Sequence, residues 1–88
     1  MSQTKKGAEV KHFLSYDNAR AARQHVLKLL RTEGYNTEYL NVEIIGAKKG
    51  FFIEATSETD PQMVTRFRHL LREYVRTMRK YVTVQEIE

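Results

Sequence analysis

The sequence predicts a small α+β domain, and three observations support that prediction. Two long segments carry their apolar residues on one helical face, and four shorter segments alternate or are rich in β-branched and aromatic residues. A chain of 88 residues can form one domain with a single modest core. Charged residues make up 30 % of the chain and hydrophobic residues 41 %, which is typical of a folded globular protein.

The N-terminal part of the chain predicts a tail followed by a strand. Residues 1–7 are polar and show no periodicity, so we expect a flexible tail in front of a single domain formed by residues 8–88. Residues 8–15 alternate between two faces, which predicts the first strand. In this strand we place His12 on the core face and Phe13 on the opposite, open face.

The first helix is predicted between Asp17 and Glu33. Asp17 is the predicted N-cap, because its carboxylate can accept hydrogen bonds from the amides of the first turn. Gly34 supplies the left-handed residue that commonly follows a helix. The apolar stripe expected in the core consists of Ala19, Ala22, Val26, Leu29 and Leu30.

A β-hairpin is predicted after this helix. Residues 38–46 and 51–56 have strand-like sequences, and the short connection between them ends at Gly50, which is a hairpin signal. Alternate residues of both strands are expected to face the core, namely Leu40, Val42 and Ile44 in the first strand and Phe51, Ile53 and Ala55 in the second.

The second helix has the clearest start in the chain. Asp60 is its predicted N-cap, and Pro61 occupies the first helical position, where the missing N–H costs nothing. The amphipathic pattern continues to Lys80, and residues 81–87 alternate as a last strand. The order β-α-β-β-α-β is the split β-α-β pattern of ferredoxin-like folds. It predicts a four-stranded antiparallel sheet with both helices packed on one face.

The polar face of the second helix is rich in arginine. The planar guanidinium group matches phosphate oxygens with paired hydrogen bonds, and the formal charge of +4 favours polyanionic partners. We therefore interpret the protein as a binding module that contacts nucleic-acid phosphates. The residues expected to make these contacts are Arg66, Arg68, Arg72, Arg76 and Arg79, assisted by Arg20, Arg23 and Arg31. The sequence leaves open that this face only keeps a small protein in solution.

The open face of the predicted sheet supports a second hypothesis, a protein-interaction adaptor or inhibitor. The residues expected on that face are Phe13, Tyr39, Ile45, Phe52 and Tyr81. Exposed aromatic residues on a sheet can stack nucleic-acid bases, but Glu43 and Glu54 share this face and would repel phosphates. A partner protein or a second copy of the chain fits this apolar patch better. The basic helices would then contact an acidic partner protein.

No arrangement of residues in the sequence supports catalysis or cofactor binding. The three histidines are scattered, cysteine is absent, and no glycine-rich phosphate loop occurs. We therefore expect a non-enzymatic protein without a metal or a cofactor. No apolar run is long enough to span a membrane, and the absence of cysteine agrees with a reducing compartment, so we expect a cytoplasmic protein.

Overall fold

The protein is an α+β chain in which two helices flank an antiparallel hairpin, as described by a computed structural model. The structure describes residues 11–48, 50–77 and 84–86, so the predicted tail of residues 1–7 lies outside it. In chain order the elements are β1 (Lys11–Phe13), α1 (Tyr16–Thr32), a 3₁₀ helix (Thr37–Tyr39), β2 (Asn41–Ala47), β3 (Gly50–Thr56), α2 (Pro61–Thr77) and β4 (Val84–Glu86). The α+β class predicted from the sequence is confirmed.

The β2–β3 hairpin is the regular part of the sheet. Its two strands pair at seven positions, and Val42, Ile44 and Ile53 pack against the core as predicted. The predicted start of the first hairpin strand at residue 38 is wrong. The side chain of Asn36 accepts a hydrogen bond from the Glu38 N–H at 3.1 Å, which stabilises the 3₁₀ helix before β2 begins.

Two three-residue strands lie beside the hairpin. β1 pairs with β3 at Phe13 and Phe51 and with β4 at three positions, so the strand order is β2-β3-β1-β4 with antiparallel neighbours. The predicted first strand of residues 8–15 extends too far at its C-terminal end, because the chain leaves β1 after Phe13 to begin α1. Residues 8–10 of that prediction lie outside the described residues. Residues 81–83 and 87 of the predicted last strand lie outside the described residues. Of the predicted four-stranded ferredoxin-like sheet, the hairpin is thus the part that the structure establishes.

The first helix begins earlier than predicted and ends where predicted. Ser15, rather than Asp17, is the N-cap, since its hydroxyl oxygen accepts a hydrogen bond from the Asn18 N–H at 3.1 Å. At the other end Gly34 has a φ of +98°. Its N–H donates to the Arg31 carbonyl, and the next N–H donates to the Leu30 carbonyl at 3.1 Å, which is the Schellman pattern. A serine two residues before the predicted cap therefore sets the phase of α1.

The second helix starts as predicted. The Asp60 carboxylate accepts a hydrogen bond from the Met63 N–H at 3.1 Å, and Pro61 is the first helical residue. The Asp60 N–H in turn donates to the Ser57 hydroxyl oxygen at 3.1 Å, which fixes the entry of the chain into the helix. This double anchoring sets which side chains of α2 face the core and which face solvent.

The core lies between the helices and the sheet and has two parts. The first core cluster consists of Val26, Leu30, Leu40, Ala55, Met63 and Phe67. The second core cluster consists of Phe13, Ala19, Ala22 and Val75. Ile53, Leu71 and Tyr74 pack against both clusters and join them.

The placement of Phe13 corrects the sequence prediction. It was expected on the open face of the sheet, but only 1 % of its surface is exposed, and it belongs to the second core cluster. Phe13 lies directly opposite Phe51, whose side chain packs toward the same cluster, and paired residues of antiparallel strands share a face. Shifting the alternation of a strand by one residue moves every side chain to the opposite face of the sheet. In β1 the large aromatic ring of Phe13 determines which face points to the core.

Candidate functional site

The outer face of α2 carries three exposed arginines in register. Arg68, Arg72 and Arg76 are spaced by four residues, so each lies about 6 Å further along the helix axis on the same side. We call these three residues the α2 arginine row. Arg76 also contacts Glu73 at 3.5 Å, in a pair whose two side chains are more than half exposed. Such a pair is weak and exchanges readily for a stronger anionic partner.

Arg66 does not belong to this row. Its Nε and Nη2 atoms donate to the two carboxylate oxygens of Glu33, at 2.9 and 2.7 Å, and so form a bidentate pair. Glu33 caps the C-terminal end of α1, so this pair joins the two helices. The side chains are 40 % and 34 % exposed. Arg66 therefore pairs with an acid of the neighbouring helix, a contact that the sequence prediction did not include.

The Arg66–Glu33 pair also changes the titration of both groups. The hydrogen bond from Arg66 lowers the pKa of Glu33 below its ordinary value, although partial desolvation opposes the change. The same hydrogen bond raises the pKa of Arg66. Both groups thus stay charged at neutral pH, and the pair persists there.

The arginines of α1 lie on a different side of the helix layer. Arg23 and Arg31 line a groove between α1 and β2, together with Leu27, Leu40 and Val42. The α2-facing side of α1 instead carries His25, whose ring lies 4.9 Å from the ring of Tyr74. Arg20 is exposed one turn before this groove.

The eight arginines predicted from the sequence therefore do not form one surface. Arg68, Arg72 and Arg76 form the α2 arginine row, Arg66 pairs with Glu33, and Arg20, Arg23 and Arg31 lie along the flank of α1 toward β2. Arg79 lies outside the described residues. The helical phase predicts which arginines are exposed, but it does not show which one meets an acid 33 residues earlier.

The predicted aromatic patch on the sheet is also dispersed. Phe13 is buried, and Tyr39 is 59 % exposed but lies in the 3₁₀ helix before β2. Tyr81 lies outside the described residues. Ile45 and Phe52 remain as a half-buried pair directly opposite each other on β2 and β3.

The outer face of the hairpin is acidic beside this pair. Glu43 and Glu54 are exposed and lie directly opposite each other. Like charges in this position repel each other, and the side-chain amide of Asn41 compensates in part by donating to Glu43 at 3.3 Å. A phosphate backbone would be repelled from this face.

The described residues contain no metal-binding group and no membrane-spanning helix. Within residues 11–48, 50–77 and 84–86, no three His, Asp or Glu side chains gather closely enough to hold an ion. Neither α1 nor α2 is long and apolar enough to cross a membrane. Comparisons of the chain with models of protein families, with curated proteins and with solved structures found no match.

The sequence prediction missed two features that shape the site. Glu33 was assigned only as the end of a helix, yet its carboxylate accepts two hydrogen bonds from Arg66 of α2. Leu27 was not assigned to the core, and it lines the groove beside β2. The sequence did contain a signal for Leu27. This residue lies on α1 between the buried apolar stripe and the arginines that flank it.

Proposed function

We propose that the protein is a non-enzymatic binding module that contacts nucleic-acid phosphates through the α2 arginine row. The single observation that carries this proposal is the position of Arg68, Arg72 and Arg76 on one exposed helical face. Guanidinium groups bind phosphate oxygens with charge-assisted hydrogen bonds, and steps of about 6 Å let successive arginines follow one backbone.

The distribution of charge over the two layers supports the same surface. The segments of α1 and α2 carry eight arginine and lysine residues and two acidic residues, Asp17 and Glu73. Residues 37–60, which form the hairpin and its flanking turns, carry five acidic residues and two lysines. A polyanion would therefore approach the helices and avoid the hairpin.

Contacts of this kind position a nucleic acid without reading its sequence. Phosphate contacts supply affinity, whereas sequence is read at the edges of the bases. The sheet that would offer aromatic residues for base stacking has Phe13 in the core and glutamates on its outer face. We therefore propose binding with little sequence preference.

The test is a salt titration with purified protein and a fluorescently labelled mixed-sequence duplex. Three phosphate contacts give a slope of about −3 for the logarithm of the association constant against the logarithm of the salt concentration. The variant Arg68→Gln/Arg72→Gln should reduce the magnitude of that slope by about two, because two contacts are removed.

The matched control changes the same amount of charge on the hairpin. In the sequence, Lys48 and Lys49 come between the last residue of β2 and the first residue of β3, away from α2. The variant Lys48→Gln/Lys49→Gln should keep the slope of the unmodified protein. An equal reduction of the slope in the two variants would mean that the net charge of the protein, and not the α2 arginine row, determines binding. An absence of binding at low salt would refute the proposal.

We propose further that the four strands complete a ferredoxin-like sheet and that the protein acts in the cytoplasm. The strand order β2-β3-β1-β4 with antiparallel neighbours supports the first part. The absence of cysteine, which fits a reducing compartment, supports the second.

A further inference from the structure

One edge of the hairpin carries no neighbouring strand in the part of the chain that the structure describes. β2 pairs with β3 along its length and is the end strand of the order β2-β3-β1-β4. An edge strand presents a row of backbone N–H and C=O groups, and proteins commonly protect such edges with lysine, proline or a bulge. The β2 sequence NVEIIGA has no lysine and no proline, and its one charged side chain, Glu43, lies on the outer face of the sheet, opposite the core. It is therefore suited to pair with an added strand.

The groove beside this edge is lined by three apolar side chains, three uncharged polar residues and two arginines. Leu27, Leu40 and Val42 line it, and Leu40 is buried. Arg23 and Arg31 also line the groove, and the Nε of Arg31 donates to the Thr37 hydroxyl oxygen at 3.1 Å, which holds its guanidinium group at the groove. An occupant would meet backbone partners, apolar contacts and positive charge together.

We propose that an extended acidic peptide segment of a partner protein adds as a strand to the free edge of β2. Its side chains on the helix side would alternate between carboxylates facing Arg23 and Arg31 and an apolar residue facing Leu27. The two arginines are eight residues apart on α1, which is about 12 Å along the helix. Four residues of a strand span about 13 Å, so the matching motif is acidic-x-apolar-x-acidic.

Charge favours an acidic peptide over a second copy of the chain. Antiparallel pairing of two β2 strands would place the α1 helices of both copies on the same side of a continuous sheet. Arg20, Arg23 and Arg31 of one copy would then lie near the same residues of the other, and these like charges would repel. A peptide segment that bears carboxylates would be attracted to these arginines. This surface is separate from the α2 arginine row and does not depend on nucleic-acid binding.

The experiment uses the full chain labelled with ¹⁵N and blocked synthetic peptides. The probe is Thr-Glu-Thr-Val-Thr-Glu-Thr, which carries the motif on one face. Its addition should shift the amide signals of residues 41–47 in a saturable manner. Two controls should leave these signals unchanged, namely the same peptide with lysine in place of glutamate and the same peptide with N-methyl groups on alternate backbone nitrogens.

Variants separate this site from the proposed nucleic-acid surface. Arg23→Gln/Arg31→Gln should weaken peptide binding about tenfold, because two charge contacts are lost, and its amide spectrum reports whether the fold is intact. Arg68→Gln/Arg72→Gln should bind the peptide with unchanged affinity. The inference is overturned if the acidic peptide leaves residues 41–47 unaffected or if the lysine peptide binds equally well. Concentration-dependent shifts of these residues without peptide would identify a second copy as the occupant and would also overturn it.

Discussion

The two core clusters lie under the same pair of helices but are filled by different kinds of residue. In the first core cluster both helices contribute large side chains, Leu30 from α1 and Met63 and Phe67 from α2. In the second core cluster α1 contributes only Ala19 and Ala22. There the largest buried side chain comes from the sheet, because Phe13 of β1 occupies the space that the alanines leave.

This difference determines how each cluster tolerates a change. A cavity in the first core cluster is bordered by Met63, an unbranched side chain that can move to fill a gap. The buried α1 residues that border Phe13 are alanines, which have no side-chain torsion through which to relax. The second core cluster therefore depends on one aromatic ring, and on the close approach of β1 that brings this ring into place.

The largest expected effect follows from removing that ring. Phe13→Ala should lower the free energy of unfolding by about 4–5 kcal/mol, at the upper end for such substitutions, because the alanines of α1 that border the cavity cannot relax into it. Phe67→Ala should cost about 3 kcal/mol, because Met63 and Leu30 relax into the space. Urea denaturation of both variants measures the difference.

A milder pair of variants keeps this comparison measurable if Phe13→Ala does not fold. Phe13→Leu and Phe67→Leu should each cost about 1–2 kcal/mol, with the larger loss at position 13. A larger loss at position 67 in either pair would contradict the difference inferred between the clusters.

The second expected effect concerns the glycine against which β1 packs. Gly50 has a φ of +141°, and a Cβ atom on it would clash with the carbonyl oxygen of Phe13. Gly50→Ala should therefore destabilise the protein by about 2–3 kcal/mol, from backbone strain and from displacement of β1.

Gly46 is the matched control for this substitution. It lies in β2 opposite Phe51, and a Cβ there would meet only the Phe51 ring at 3.7 Å, an ordinary contact. Gly46→Ala should change the free energy of unfolding by less than about 1 kcal/mol. Equal effects of the two variants in thermal or urea unfolding would show that Gly50 does not control the approach of β1.

The sequence predicted those parts of the structure that local patterns determine. The buried stripe of α1, with Val26 and Leu30, repeats one signal over several residues. The start of α2 combines two residue types, the N-cap Asp60 and the following Pro61. The hairpin was predictable for the same reason, since alternation extends over both strands. Such signals average over many positions, so one ambiguous residue does not change the result.

The errors arose where the signal was short or the partner distant. β1 has three residues, so alternation around Phe13 could be assigned with either parity, and only pairing with Phe51 decides it. Tyr39 matched a strand pattern, but the Asn36 side chain stabilises a 3₁₀ helix there. Arg66 lies on the polar side of α2, and nothing within its own helix indicates that Glu33 will bind it.

The smallest expected effect concerns the ion pair between Arg66 and Glu33, which joins α2 to the C-terminal end of α1. The pKa of Glu33 is lowered because Arg66 donates hydrogen bonds to its carboxylate, so the folded chain keeps this group charged at pH values where the unfolded chain protonates it. The stabilisation is fully present above the ordinary glutamate pKa of about 4.3 and is lost as the pH falls through the lower pKa of the folded state. The stability difference between the unmodified protein and Glu33→Gln should therefore be constant from about pH 7 to pH 5 and should shrink below about pH 4.

The double variant Glu33→Gln/Arg66→Gln tests whether this pH dependence belongs to the pair. The stability difference between this double variant and Arg66→Gln should vary much less with pH than the difference between the unmodified protein and Glu33→Gln. The reason is that Glu33 in Arg66→Gln lacks the partner that lowers its pKa. Glu73→Gln is a second control, since its contact with Arg76 is longer and more exposed, and it should change stability at pH 7 less than Glu33→Gln does. A difference between the unmodified protein and Glu33→Gln that grows as the pH falls would have the wrong sign for a lowered pKa. It would mean that Arg66 does not hold Glu33 in solution, and Arg66 would then join Arg68, Arg72 and Arg76 as a residue able to contact phosphate.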